Sequence, residues 1–503
     1  MGSAMQADRV APATAQIGSR RGLFGPAGKL ILPGSIPPLM PAWLMVSFLL
    51  AFAPGGRAQT AAAPASGAGG DAFQGSVTAQ PATSRVRPLS LDEAVRMGLK
   101  YNLGLVLANE GVNAVRGQRL QQLQALLPAV DAGARTAVQQ TDLQAEGLRI
   151  PGFPAVIGPY GYTDIRAYLQ WSLLNLPSLR SYLAVKHNFA GAQLSAADAR
   201  DMVVLTVGNA YLLCVADGAM VQAAQSQVDT SKISLDQAVA NHQQGAAPLL
   251  DELRARVDYQ TQQQTLIAAS NEFEKDKIRL ARVIGLPLEQ KFTLSDQEPY
   301  AALDHLDPAA AVRQALAARK DLQALEEQAQ GAADSVAAAK AERYPTASFA
   351  GDYGDIGATL GHSHGTFDAA GSASVPLFEE ARLRGDAGVA QAQMSQAEAQ
   401  LNDLRGQIDA DVRESILDID LASRQVQVAL SNVKLSGEEL SEAQQRYAAG
   451  VSDNLAVSEA QASVAEANRQ YVSSLYEHNV AKLSLARALG VAASDYKQYV
   501  GGK

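Results

Sequence analysis

The sequence predicts a mainly α-helical chain with membrane-type β-strands, assembled from two copies of one unit. Three observations predict it. The first is an internal echo at an offset of 205 residues: Gly450 matches Gly245, Leu455 matches Leu250, Ala460 matches Ala255, Leu485-Ala486-Arg487 matches Leu280-Ala281-Arg282, and Gly490 matches Gly285. Self-similarity at a fixed offset decides architecture before any local signal does. The second is a pair of heptad series at that offset. Val207, Cys214, Val221, Val228 and Leu235 form one, and Val412, Ile419, Val426, Val433 and Leu440 the other. Sustained heptads mean long helices packed as coiled coils. The third is period-two alternation in four short runs, each near the 9–11 residues with which a tilted strand crosses a bilayer.

Composition agrees. The chain has 503 residues, too many for one ordinary core, with 47% apolar but only 6% aromatic residues. Much of the apolar content is Ala, which suits long, closely packed helices. A net charge of −9 and a pI near 5.3 argue against a nucleic-acid partner. The lone cysteine, Cys214, excludes a disulfide framework.

Residues 1–58 read as a signal peptide. Arg9, Arg20, Arg21 and Lys29 form a basic region, and Ala42–Ala53 an apolar core too short to span a membrane as a helix. Gly56-Arg57-Ala58 offers small residues for cleavage. The Arg20-Arg21 pair lies too far upstream of the apolar core for a twin-arginine signal, and no cysteine follows that core to carry a lipid anchor. No later segment reads as a spanning helix, so any membrane crossing falls to strands. Residues 59–88, rich in Ala, Gly, Ser, Pro and Thr, read as a flexible linker.

The first unit spans 89–306. Ser90 can N-cap its opening helix, with Glu93 completing a capping box. Helical sequence continues past a break near Asn102-Leu103-Gly104 to Leu127, and Pro128 stops it. A β-hairpin is expected over 129–173. Val130, Ala132, Ala134, Thr136 and Val138 point one way, against Asp131, Arg135 and Gln139. Ile165, Ala167, Leu169, Trp171 and Leu173 likewise oppose Asp164, Arg166, Tyr168 and Gln170. A long helical hairpin follows over 178–284, turning at Gly245. A helix of roughly 65 residues is about 100 Å long, suited to spanning a wide compartment.

The second unit spans 307–490. Ala311-Val312-Arg313 matches Ala94-Val95-Arg96 and Pro345 matches Pro128, at an offset of 217. The later drop to 205 places a deletion of about 12 residues in the second hairpin (346–377), where a loop tip tolerates it. Its helical hairpin covers 381–489 and turns at Gly450, with Ser452 or Asp453 offering the N-cap oxygen. Residues 491–503 read as a C-terminal tail.

These features together resemble the outer-membrane efflux protein family, the TolC-like exit ducts of Gram-negative tripartite pumps and type I secretion systems. The resemblance covers about Leu89 to Gly490. It is carried by Leu91-Asp92-Glu93-Ala94-Val95, Pro128 and Pro345 before the hairpins, Val375-Pro376-Leu377-Phe378, Arg446-Tyr447-x-x-Gly450 and Leu485-x-Arg487-Ala488-Leu489-Gly490. Four strands cannot close an open pore, and strands in lipid cannot leave edges unpaired, so chains must share a barrel. Sequence alone allows two, three or four chains. The resemblance implies a homotrimer, with a shared 12-stranded barrel in outer-membrane lipid and a long α-helical periplasmic barrel.

It further implies that the hairpin tips contact a periplasmic adaptor protein and close the duct at rest, in series with an inner-membrane transporter. The implied tip residues are Gly245, Leu250, Arg446, Tyr447, Gly450, Ser452, Asp453 and Leu455, with Glu459 as the gate candidate. The first tip departs from the family form, carrying Asn241-His242-x-x-Gly245 and Pro248. Ala456, one turn before Glu459, lacks a carboxylate, which implies a reduced acidic ring.

Other motifs are weaker. His362-Ser363-His364 can share a metal ion but sits in a predicted surface loop without a Cys. Cys214 falls on a heptad seam, and His478 on the apolar progression of the last helix. Ser431-x-x-Lys434 with Ser452-Asp453-Asn454 imitates a penicillin-binding pattern but lacks Lys-Thr-Gly. No Gly-rich phosphate loop occurs, so energy is expected to come from a partner; the duct reading expects no cofactor and no enzyme activity. Within the duct reading, drug efflux competes with type I protein secretion and metal efflux. A periplasmic coiled-coil scaffold without a pore is the rival outside it.

Overall fold

The computed structural model describes residues 72–77, 81–145, 147–296, 301, 303, 306–452 and 454–500. The predicted signal peptide, most of the predicted linker, Asp453 and the last three residues lie outside the described residues.

One order of elements occurs twice: two short helices, two strands, two long helices. It runs α1 (Leu91–Tyr101), α2 (Leu103–Gln124), β2 (Ala129–Asp142), β3 (Val156–Leu174), α3 (Leu176–Gln243) and α4 (Leu249–Ile284). Then come α5 (Pro308–Ala318), α6 (Lys320–Ala341), β5 (Thr346–Gly357), β6 (Ser363–Ser374), α7 (Glu380–Ala448) and α8 (Asn454–Ala488). Two three-residue strands, β1 (Arg87–Leu89) and β4 (Phe292–Leu294), pair in parallel beside the first unit, and α9 (Ala492–Val500) closes the chain.

The local chemistry explains the boundaries. Ser90 Oγ accepts the Glu93 N–H at 3.2 Å and starts α1, while the Glu93 carboxylate turns to Arg87 instead of completing the box. Buried Asn102 makes the break foreseen in the sequence. Its Oδ1 accepts the Gly104 N–H at 3.0 Å, and its Nδ2 donates to Phe73 O at 2.7 Å. Asp307 caps α5 through the N–H groups of Ala309 and Ala310.

The helices α3 and α7 hold 68 and 69 residues, about 100 Å each. Val207, Cys214 and Val228 on α3, and Val412 and Val426 on α7, are buried; their other heptad partners are half-buried. One core cluster joins α1, α3, α4 and α8 around Val203, Val207, Tyr211, Leu280 and Leu483. A second joins α5, α7 and α8 around Ala315, Ile408, Val412, Leu485 and Leu489.

The strands form one antiparallel sheet in the order β2-β3-β5-β6, so β2 and β6 are its edges. The loop at 143–155 joins β2 to β3, and the shorter 358–362 joins β5 to β6, where the sequence placed the deletion.

Three expectations are corrected. The segment 59–88 is not wholly a free linker. Ser76 bridges Asn102, Phe73 packs on the first core, and Arg87–Leu89 pairs with β4, because these few residues cover the end of α1. The tail at 491–503 contains α9, with Ala492, Tyr496 and Val500 buried in the first core. Asp201 of α3 accepts the Ala493 N–H at 2.6 Å, and Tyr496 Oη donates to Asp92 at 2.7 Å. Finally, α3 does contain an 18-residue stretch with mean hydropathy 1.6. Half of that stretch is buried against neighbouring helices, as befits an interior helix.

Candidate functional site

The register of the sheet sorts its side chains by face. Val130, Leu169, Gly351 and Ala369 are aligned across the four strands, as are Ala132, Ala167, Tyr353 and Phe367. This face exposes Val130, Ile165, Tyr353 and Phe367 by 47–78%. Asp131, Tyr168, Asp352 and Asp368 align on the opposite face, which also carries Arg135, Asp164, Arg166 and Thr366. On that face Arg166 pairs with Asp352, meets Asp164 at 3.3 Å and donates to Thr366 Oγ1 at 2.8 Å. One surface is therefore apolar and exposed, the other charged and cross-linked. That is the split a sheet between lipid and an aqueous lumen requires. Leu377 and Phe378, just past β6, are 90% and 100% exposed and extend the apolar surface towards α7.

At the ends of the long hairpins, the two turns share their closing pair of main-chain hydrogen bonds. Gly245 and Gly450 sit at φ +71° and +73°, a left-handed conformation that costs other residues strain. Gly245 N donates to His242 O and Gly450 N to Tyr447 O, each at 3.0 Å; Ala246 N reaches Asn241 O at 2.8 Å and Val451 N reaches Arg446 O at 3.0 Å. The first tip's atypical sequence thus keeps the closing bonds of the turn, because they need only main-chain atoms and one glycine, and adds one from Ala247 N to Asn241 O at 3.2 Å. Its His242 Nδ1 lies 3.2 Å from Ala247 O and ties the turn to its own side chain.

Leu249, Leu250 and Leu253 are exposed at one tip, and Val451 and Leu455 at the other. Arg446 and Glu459 are exposed with no ion pair among the described residues; Tyr447 and Ser452 are half-buried. Asn454, the first residue of α8, is 2% exposed, and Asp453 lies outside the described residues. Apolar ridges and an unpaired cation at a helical turn can dock another helical protein.

The remaining candidates fall elsewhere. His362 Nδ1 lies 3.2 Å from Thr359 Oγ1 within its own loop, and His364 pairs with Ile356 in the sheet. Cys214 is fully buried, and burial pushes its thiol far up. Ser431 is exposed on α7, and Ser452 lies in the turn at its end.

Sequence reasoning missed an ionic belt where the short helices meet the long ones. Arg319, side chain 7% exposed, binds Asp321 at 2.6 Å and Asp411 at 2.8 Å; Arg487 binds Asp198 at 2.7 Å. Burial pushes the Asp198 carboxyl up to about 6 against the pull of Arg487. Only Arg487 carried a signal, as part of the repeated Leu-Ala-Arg triplet.

The family described as outer membrane efflux protein matches residues 99–286 and again 311–491. The chain is 25% identical over 438 residues to the toluene efflux pump outer membrane protein TtgF of Pseudomonas putida, covering 79% of this chain and 82% of that protein. In fold it resembles a membrane protein from Pseudomonas aeruginosa (TM-score 0.71, 19% identity, 80% and 93% of the two chains). It also resembles the outer membrane protein VceC of Vibrio cholerae (TM-score 0.70, 19% identity, 80% and 96%).

Proposed function

The chain belongs to the outer membrane efflux protein family, and we propose that it is the outer-membrane exit duct of a tripartite efflux pump. In this reading three copies share their sheets as one 12-stranded barrel in outer-membrane lipid, and their long hairpins form a tube across the periplasm. A periplasmic adaptor grips the tips and an inner-membrane transporter supplies substrate and energy, so the duct conducts passively and breaks no bonds.

The observation that carries the reading is the sheet. It has two faces of opposite polarity and two unpaired edges, on helical hairpins about 100 Å long. Edges left unpaired in lipid are too costly to persist, so β2 and β6 call for copies of each other. A pore-free periplasmic scaffold has no use for an exposed band of Val130, Ile165, Tyr353 and Phe367.

Gating is assigned to the tips. The closed arrangement is the packed coiled coil; the adaptor favours an opened one by binding it more tightly. Gly245, Leu250, Arg446, Tyr447, Gly450, Ser452, Asp453 and Leu455 form the docking surface, and Glu459 lies at the narrowed mouth. Gly450→Pro removes an N–H that bonds Tyr447 O and imposes a φ of about −65° where the turn needs +73°. Export by cells carrying Gly450→Pro or Arg446→Glu is expected to fail while trimers still assemble in the outer membrane. Unimpaired export by both variants contradicts the assignment.

A further inference from the structure

The two open edges of the sheet carry opposite charges that nothing in their own chain neutralises. Arg135 stands on β2 and Asp368 on β6, both exposed and both on the charged face. Arg135 lies opposite Asp164, but that carboxylate meets Arg166 at 3.3 Å, and Arg135 has no ion pair or hydrogen bond among the described residues. Asp368 is likewise unpaired among them. It lies opposite Asp352, so two like charges face each other across β5 and β6. Arg166 reaches Asp352 and Thr366. Like charges directly opposite destabilise a strand pair, so Asp368 calls for a cation on its free side. That side is a sheet edge, where another strand fits.

Strand lengths limit how a second copy can meet that edge. β6 has 12 residues and β2 has 14, so β6 can pair along its whole length with β2 of another copy in three registers. The outer two place Ser374 opposite Ala129, or Ser363 opposite Asp142. The middle one sets the apolar face of one copy against the charged face of the other and is excluded, because a one-residue slip inverts every side chain. With Ser374 opposite Ala129, Arg135 falls directly opposite Asp368. With Ser363 opposite Asp142, both charges face alanines, Arg135 facing Ala370 and Asp368 facing Ala137. Charge complementarity selects the first register. Barrel geometry agrees with it. Within the sheet, Ala129 lies level with Ala370 through Gln170 and Ala350. Setting Ala129 opposite Ser374 at the seam therefore moves the chain ~13 Å along the strands for every ~19 Å across four of them. That is a strand tilt of about 35°, the tilt of an outer-membrane barrel.

We propose that Arg135 of one copy pairs with Asp368 of the next, and that this ion pair fixes the register in which the copies close their barrel, residues 129–140 against 363–374. The pairing rests on the shared-barrel reading above and adds which residues meet at each seam. One exposed ion pair is weak. The barrel repeats it at every seam, and the competing register leaves both charges without a directly opposed partner at all of them.

Disulfide trapping of the full-length protein in the outer membrane tests it. Positions 135 and 368 of one copy lie on opposite edges of the sheet, at least ~14 Å apart across three strand spacings. A disulfide between cysteines there must join two copies. Arg135→Cys with Asp368→Cys is expected to give covalent trimers on a non-reducing gel. Arg135→Cys with Ala370→Cys, two residues out of register, is expected to give at least about tenfold less. The buried Cys214 stays in place in both, and in single-cysteine controls. Trapping of the Ala370 pair in place of the Asp368 pair overturns the register and leaves the shared barrel standing. Heat-stable trimers that trap neither pair also overturn the register, whereas absence of any oligomer overturns the shared barrel with it. Charge reversal gives a readout free of cysteine chemistry. Arg135→Asp sets like charges at every seam and is expected to lower the temperature at which the trimer dissociates, and adding Asp368→Arg is expected to restore it. A double variant no more stable than Arg135→Asp alone overturns the proposal.

Discussion

Asp217→Asn is expected to stabilise this protein, and to do so only above a particular pH. Asp217 lies on α3 against α4, where Asp276 is almost wholly buried and paired with Arg279. Burial pushes the Asp217 carboxyl up to about 7, and a hydrogen bond with Asp276 together with the Asp276 and Glu272 charges pushes the same way. The folded chain then holds a proton that the unfolded chain, with its ordinary carboxylate near 3.8, has lost. Where the native state binds more protons, stability falls as pH rises. Asp217 therefore contributes fully below about pH 4, and its contribution is lost as pH climbs through 7.

A shift of about three units corresponds to about 4 kcal/mol. Asp217 borders a partly open cleft of about 320 Å³ and is only half-buried, so solvent screening cuts this to about 2 kcal/mol. Asparagine keeps the shape, donates to Asp276 and never ionises. Thermal or urea unfolding of the assembled protein at pH 4 and pH 8 reads the difference. The variant should lie close to wild type at pH 4, where little of the contribution is yet lost, and exceed it by about 2 kcal/mol at pH 8. The His478 contribution runs the other way, lost as pH falls towards 4, but it is common to both proteins and cancels in the difference. Equal destabilisation at both pH values contradicts a raised Asp217 carboxyl.

Other substitutions probe the packing and the ionic belt. A Cβ on Gly208 would lie 2.5 Å from Leu483 Cδ1, which is itself immobilised in the core, so Gly208→Val should cost about 1–3 kcal/mol in unfolding experiments. Gly218→Ala meets only the Phe273 ring at 3.6 Å and should be neutral or slightly stabilising in the same measurement. Burial pushes the Asp321 carboxyl up, yet Arg319 overrides it and holds that carboxyl below its usual range. Arg319→Met strands Asp321 and Asp411 and should lower stability by about 3 kcal/mol, read as an earlier unfolding midpoint.

The features legible in the sequence were those repeated locally. Heptad positions such as Val207 and Val412 announce buried seams because each helix repeats its own signal every two turns. The strand faces were legible because alternation is local, and the tip glycines because no other residue suits their φ. What escaped depends on partners far apart in the chain. Arg319 meets Asp411 and Arg487 meets Asp198, pairings no periodicity encodes. The three residues of β1 are too few to alternate, and α9 is a single short helix whose Tyr496–Val500 spacing is too brief to stand out from a tail. At the tips, the backbone was readable from Gly245 and Gly450. The half-burial of Tyr447 and the full burial of Asn454 were not, since they depend on how the two helices face each other.

Recording across a planar lipid bilayer tests the proposed conducting duct most directly. Full-length protein extracted from the outer membrane and purified as its native oligomer should insert and give discrete, long-lived conductance steps. Charge removal at the tip by Glu459→Gln should change the ion preference of those steps without abolishing insertion. Oligomers that insert stably yet pass no current, with the adaptor present or absent, would contradict the claim.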